Sequence, residues 1–449
     1  MKIARIPAGL FIGIAVTLFF ALALFFRAYF PYDKVFVGDW IKFTGVDAYY
    51  YMRVVDNLVQ NFPHMSVFDP YLLYPGGQQI IYPNFFARLL AGIIWLVGMG
   101  TPTQNTIDVI GAFYPAVLGA LTVIPVYFAG KELFNRWVGI LAAGLIAVLS
   151  GEFLGRSILG STDHHVAEVL FTTIIMMFLI VALKVGRERE WSFSHIKNRD
   201  LKTSAKPIIY SLLAGIALGI YLLTWAGGLL FVFIITLYIV IQSIFDHLRR
   251  KSTDYLWLTG IILFFTAGIM FLPTTPPLEQ SLYPMSIIIA FLIPIVLGII
   301  SHLMSSRQLK PAYYPLVLVG LGLVGLGALY LVSPSLVRSA LERFTVFVPT
   351  GTQLTTLEMQ PFLFPGGNFS WQVAWGNFTT SFILSIIALA ILTCYLFSRR
   401  SKAERNLLVI WSLVILVATL GQRRFAYYFA VNVALLTGYL SVVIYHLIK

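Results

Sequence analysis

The sequence predicts an all-α polytopic membrane protein of about twelve transmembrane helices with two long outer loops. Three observations predict it. First, 59% of the 449 residues are hydrophobic and only 11% are charged, whereas a soluble domain carries about 25% charged residues. Second, apolar runs near the roughly 20 residues needed to cross a hydrocarbon core recur along the chain. Third, the basic residues collect on alternate connections between those runs. A water-soluble enzyme is excluded.

The first run, Pro7 to Phe30, is longer than the apolar part of a signal peptide and reads as a retained anchor. The others lie near 107–129, 137–151, 166–184, 208–223, 228–246, 256–272, 285–304, 314–332, 377–397, 406–420 and 425–447. The run from Leu89 to Met99 is too short to span, so it is expected to be re-entrant or to lie along the membrane. With Lys2 and Arg5 placed inside, the inner segments hold 21 of the 31 basic residues, Arg399 and Arg400 among them, and 7 of the 19 acidic ones. That gives +14 inside and −2 elsewhere. Lys and Arg gather on the cytoplasmic side of membrane proteins. The overall +12 therefore records a cytoplasmic N-terminus, not a nucleic-acid partner. A single cysteine, Cys394, allows no intrachain disulfide.

The outer loops 31–106 and 333–376 are rich in Tyr, Trp, Phe, Pro and Gly. Long loops between spans are functional or disordered, and this composition argues against disorder. With the short outer turns 151–165, 224–227, 273–284 and 421–424 they form one surface, where the polar residues concentrate. A transporter would need them at midplane.

Four segments on that surface carry chemistry. In Gly45-Val46-Asp47-Ala48-Tyr49-Tyr50, Asp47 precedes an amphipathic helix, with Tyr51, Val54, Val55 and Leu58 on one face. Asp47 is either the helix cap or a carboxylate facing a site. In Ser161-Thr162-Asp163-His164-His165, an extended chain would point Asp163 and His165 the same way and His164 away. Glu358, in Thr355-Thr356-Leu357-Glu358, is the only carboxylate between Glu342 and Glu404. Arg423 and Arg424 are two cations on the face that is poor in them, suited either to lipid headgroups or to a bound phosphate. Three carboxylates and one imidazole suit Mn²⁺ or Mg²⁺ better than Zn²⁺ or copper. A divalent ion beside arginine suggests a phosphate-bearing substrate.

In this order the segments resemble the catalytic subunit of oligosaccharyltransferase, most of all the archaeal AglB type. Gly45-Val46-Asp47 resembles the family's first D-x-D-type motif in its G-x-D form, and Asp163-His164-His165 resembles the second. Thr355-Thr356-Leu357-Glu358 resembles T-I-x-E, with Thr356 where Ile or Val is usual. Arg424-Phe425-Ala426-Tyr427-Tyr428 resembles the Arg-Phe segment near the end of the membrane domain.

The resemblance implies a GT-C type glycosyltransferase membrane domain over 1–449 with its active site on the outer face of a multi-pass cell membrane. It implies transfer of an oligosaccharide from a polyprenyl (dolichyl) phosphate or pyrophosphate carrier to Asn of Asn-x-Ser/Thr in an acceptor polypeptide. Asp47, Asp163 and His165 would hold the metal, and Asp47 and Glu358 would activate the acceptor amide. Arg424 and Arg423 would bind the donor phosphate, and Trp225, at an outer turn, is either an interfacial anchor or a residue that lines the donor groove. Family members continue into a soluble domain with W-W-D-Y-G that reads the sequon. This sequence has no such motif, which leaves three readings open: a truncated chain, half of a split enzyme completed by a separate subunit, or a diverged paralogue. Two other readings share the composition: a polyprenyl-phosphate-dependent glycosyltransferase acting on lipid or Ser/Thr, and a transporter of lipid-linked sugar. Two sequons, Asn368-Phe369-Ser370 and Asn377-Phe378-Thr379, are candidate acceptors themselves.

Overall fold

The computed structural model describes residues 7–80, 83–275, 282–348, 351–398 and 401–449. Lys2, Arg5, Arg399 and Arg400 of the inner charge set lie outside them. Ten helices among the described residues are long and apolar enough to cross a membrane. The other two apolar runs differ from the twelve expected crossings. Run 137–151 forms Arg136–Val148, only 13 residues, or roughly 20 Å at 1.5 Å per residue. Run 377–397 belongs to a pair, Gln372–Phe378 and Ser381–Leu396, bent by 87°. The bend falls at Thr379, whose φ of 50° is left-handed. Counting that pair as one span gives eleven by length and composition among the described residues, in keeping with the about twelve expected.

The short helix survives by close packing. Val123–Leu133 and Arg136–Val148 form a hairpin whose second helix is capped by Asn135, its Oδ1 accepting from Trp137 N (2.9 Å) and Val138 N (3.1 Å). Gly130 and Gly139 face each other so closely that a Cβ on Gly139 would lie 2.6 Å from the Tyr127 carbonyl oxygen. Lipid gives apolar side chains no reason to associate, so membrane helices hold together through small residues that let backbones approach. We expect Gly139→Ala to cost about 1–3 kcal/mol by overpacking, read as a lowered Tm in detergent. Gly13→Ala, where an added Cβ would meet nothing within 4 Å, should leave the Tm unchanged.

The first long loop is folded. Helices Val46–Gln60 and Phe85–Val97 share a core of their own, including Val55, Leu58, Phe86, Leu90 and Ile94. Arg53 clamps it with a two-pronged ion pair to buried Asp69, one contact being 3.0 Å. Two antiparallel ribbons, Phe36–Val37 with Trp40–Ile41 and Phe68–Asp69 with Gln78–Gln79, are the only strands among the described residues. Phe85–Val97 contains most of the short apolar run and packs within this loop.

At the opposite end from the candidate residues, ion pairs tie the basic connections together. Lys184 meets Glu132 (3.0 Å), Arg187 meets buried Glu404 (3.0 Å), and Arg405 Nε donates to Leu133 O (3.1 Å). The segments that the charge pattern places inside thus converge on one end.

Candidate functional site

The turn between Arg136–Val148 and the helix His165–Glu188 carries the central residues, and it is pinned from three sides. Leu159 N donates to Arg27 O (2.8 Å), Gly160 N to Ala112 O (2.8 Å), and Thr44 N to Gly160 O (2.8 Å). Thr162 Oγ1 donates to Gly111 O (2.8 Å). Gly160 takes a φ of 78° with a prospective Cβ only 3.0 Å from Val35, so glycine is required. Arg27, fully buried in the first helix, donates to Ser157 Oγ (2.8 Å) and Ala147 O (3.2 Å). Buried backbone and hydroxyl groups are thereby satisfied, and the turn is held rigid.

At its end Asp163, His164 and His165 each offer a ligand atom, and all three atoms lie within 4.8 Å of one another. His165 Nε2 is 3.3 Å from Asp163 Oδ2, and the His164 ring contacts Asp163 Oδ1. The expectation that His164 points away is corrected. His164 sits at φ −65°, ψ −19°, a turn conformation in which strand alternation does not apply, and its ring is 4.5 Å from that of His165. Burial pushes the Asp163 carboxyl up, but the charges of His164 and His165 and the His164 hydrogen bonds outweigh it, holding it well below the usual carboxylate range. Burial lowers His164, whereas the charges of Glu168 and Asp163 raise it above its ordinary value.

Glu168 is a carboxylate whose role the sequence did not reveal. Fully buried, it accepts from His165 Nδ1 (2.8 Å), from Tyr427 OH (3.2 Å) and from Tyr428 OH. Tyr51 OH pairs with His164 Nδ1 (2.9 Å). The imidazoles are thus oriented from outside the group, as outer-shell partners of metal-bound histidines are. His164 Nε2 is buried 3.3 Å from Glu168 Oε1 and has no hydrogen-bond partner among the described residues. One carboxylate and two imidazoles, backed by the buried Glu168 carboxylate, fit a divalent ion.

Asp47 does not join the group. It lies exposed in the first turn of Val46–Gln60, whose N-cap is Gly45 (φ 84°) with no side-chain cap, so the cap reading is also corrected. Its negative charge is the smallest of those that raise His164 and Tyr51.

Glu358, half-buried, receives a hydrogen bond from Arg156 Nη2 (2.7 Å) at Oε2. Arg156 also reaches Glu152 Oε2 (3.2 Å) and stands over the Tyr427 ring. Burial raises Glu358, but the Arg156 hydrogen bond and charge, with His165 and Arg424 nearby, bring it below its ordinary value. Arg423 Nε donates to Glu152 Oε1 (2.9 Å), so it closes this network instead of standing free. Arg424 is different, its Nε being buried with no hydrogen-bond partner among the described residues.

Trp225 joins the two regions. Its ring is 6.0 Å from that of His164, and it lines a cavity of about 590 Å³ together with Arg424, Arg343, Tyr283, Phe344 and Phe347. Most of the remaining lining is aliphatic, from helices Leu229–Leu248 and Leu282–Ser306. An elongated apolar group with an anionic head suits such a space. Of the two sequons, Asn377 is buried, its Oδ1 accepting from Glu152 N (2.8 Å).

Fold and site together define a multi-pass membrane protein with a candidate metal cluster beside an apolar cavity. The chain belongs to the family described as oligosaccharyl transferase STT3, N-terminal, which matches residues 14–448. It is 28% identical over 429 residues to dolichyl-phosphooligosaccharide-protein glycotransferase 3 of Archaeoglobus fulgidus, covering 89% of this chain and 46% of that protein. It is 31% identical over 345 residues to dolichyl-monophosphooligosaccharide–protein glycotransferase AglB of Haloferax volcanii, covering 74% and 32%. The structure of A. fulgidus AglB in complex with an inhibitory peptide and a dolichol-phosphate matches with a TM-score of 0.85 at 25% identity, over 97% of this chain and 50% of that one. The apo form of an A. fulgidus oligosaccharyltransferase matches at 0.86 and 26%, over 98% and 51%. The chain thus spans about half the length of the solved structures it matches.

Proposed function

We propose that this chain forms the membrane part of an oligosaccharyltransferase, which moves a glycan from a polyprenyl phosphate or pyrophosphate to Asn of Asn-x-Ser/Thr in a polypeptide. The observation that carries this reading is the link through Trp225 between the Asp163–His164–His165 group and the Arg424 cavity. The relatives' names, dolichyl-phosphooligosaccharide-protein glycotransferases, support it.

The chemical difficulty is the acceptor. A carboxamide nitrogen is a poor nucleophile because its lone pair is delocalised into the carbonyl. Asp47 and Glu358 are assigned to accept its two N–H bonds, weakening that delocalisation and aiming the lone pair at the anomeric carbon. Glu358 stays ionised at neutral pH and keeps lone pairs beyond the one that Arg156 uses. Arg424 receives the donor phosphate, Trp225 stands where its first sugar leaves the cavity, and the aliphatic walls take the lipid tail. Asp163, His164 and His165 would hold a divalent ion, whose Lewis acidity there would stabilise the leaving phosphate. Arg423 acts one step back, by holding Glu152 and through it Arg156.

Two imidazoles shift the donor set away from Mg²⁺, which prefers oxygen ligands and water, toward Mn²⁺ or Zn²⁺. The full-length protein, stripped by chelator, should regain activity with Mn²⁺ at least about tenfold better than with Mg²⁺ at equal concentration. Equal rescue by both ions would remove His164 from the ligand set. The reading as a whole is tested by incubating the full-length protein with a lipid extract of its source cells and an Asn-x-Thr peptide. A glycopeptide should form, and none from the Gln-x-Thr peptide. Failure with the Asn peptide, while the lipid-linked glycan is demonstrably present, would overturn it.

The cytoplasmic N-terminus and outer active site belong to this proposal. They rest on the basic connections that converge away from the cluster.

A further inference from the structure

We propose that Asn368 is itself an N-glycan acceptor, modified by the active site of a second copy of the protein, while the neighbouring sequon at Asn377 stays unmodified. This rests on the transferase reading above.

The two sequons meet opposite environments. Asn368 is exposed, extended at φ −104°, ψ 139°, and its side chain makes no hydrogen bond among the described residues. It follows Pro365-Gly366-Gly367, a turn in which both glycines have positive φ (63° and 85°). A Cβ added to either glycine would meet nothing within 4 Å, so space surrounds the turn that presents the amide. Asn377 is the reverse. Besides its bond to Glu152 N, its Nδ2 donates to Val373 O (2.8 Å), and a Cβ on Gly151 would lie 2.4 Å from its Oδ1. Both faces of that carboxamide are used. An amide whose oxygen and nitrogen are bonded inside the protein cannot enter another site without local unfolding.

Asn368 lies on the same end of the bundle as the candidate site, ten residues after Glu358. The chain between Glu358 and Asn368 is pinned, so carrying Asn368 into the site of its own copy would break the bonds that hold it. Arg423 N donates to Gln360 O (2.8 Å), Phe362 N to Leu420 O (3.1 Å), and Ser370 N to Leu363 O (2.9 Å). The reaction is therefore between molecules. Asn368 Nδ2 bonds to the anomeric carbon of the lipid-linked glycan as the bond from that carbon to the phosphate oxygen breaks. The polyprenyl phosphate leaves with the electron pair, and one amide proton passes to solvent.

The test is peptide mass spectrometry on the full-length protein from its source membranes, with an Asn-x-Thr reporter peptide added to the same membranes. A glycan mass is expected on the peptide containing Asn368 and none at Asn377, and Asn368→Gln should abolish the modification without changing reporter glycosylation. A tagged Asp163→Ala copy, expressed beside the active protein, should still acquire the glycan at Asn368. Unmodified Asn368 in membranes that glycosylate the reporter would overturn this inference and leave the transferase reading intact. No reporter glycosylation would overturn both. A glycan on Asn377 would refute the argument from burial, and an unmodified Asn368 in the Asp163→Ala copy would refute transfer between molecules.

Discussion

Replacing Asp163 by alanine should lower glycan transfer by the full-length protein on the order of 10³-fold or more, the scale at which electrostatic stabilisation of developing charge is lost. The reason is cumulative. Asp163 is the carboxylate of the three-ligand group, and it is the buried negative charge against which both imidazoles are set. Without it the two histidines keep Glu168 and Tyr51 as polar partners, and the site loses its ligand carboxylate and the geometry that it sets. The fold should survive, because the turn is pinned through Leu159, Gly160 and Thr162 rather than through the carboxylate. Bound Mn²⁺, followed by paramagnetic resonance on the purified protein, should fall from one ion per chain to none while the Tm stays near that of the parent. Transfer within about tenfold of the parent would remove Asp163 from the centre of the mechanism.

Glu358→Gln should lower kcat on the order of 10²–10³-fold. The substitution keeps the shape and removes the charge that is to polarise the acceptor amide. Arg156→Met should act differently. Arg156 holds Glu358 through one 2.7 Å bond without being assigned a contact to substrate, so its loss should raise the KM for acceptor peptide more than it lowers kcat. Kinetics on the two variants separate these roles. A Glu358→Gln enzyme with unchanged kcat would leave Asp47 as the only carboxylate facing the acceptor.

The membrane architecture was legible because apolar length and basic asymmetry are properties of continuous segments. All twelve apolar runs are helical, and ten of them are long and apolar enough to cross a membrane unbroken. The short helix Arg136–Val148 leans on Gly130 and Gly438, whose close approaches bind it to two neighbours. Periodicity cannot register such contacts. The cluster was half legible. Asp163 and His165 stood out by type and spacing, but the backbone turns at His164 and brings it in as well. Glu168 was hidden although it lies three residues after His165 on one helix face, the spacing at which helical side chains meet. Its hydroxyl donors, Tyr427 and Tyr428, are 259 and 260 residues away. Arg156 and Glu358 are 202 residues apart. Arg343 reaches the cavity only through the packing of its loop. Such long-range pairs have no sequence signature.

The most direct measurement follows the full-length protein with lipid-linked glycan and Asn-x-Thr peptide, before and after chelation. Transfer should stop on removal of divalent ions and return on addition of Mn²⁺ in the parent, but not in Asp163→Ala. Transfer that continues undiminished in chelator, or that Mn²⁺ restores equally in Asp163→Ala, would contradict a metal-dependent site at Asp163, His164 and His165.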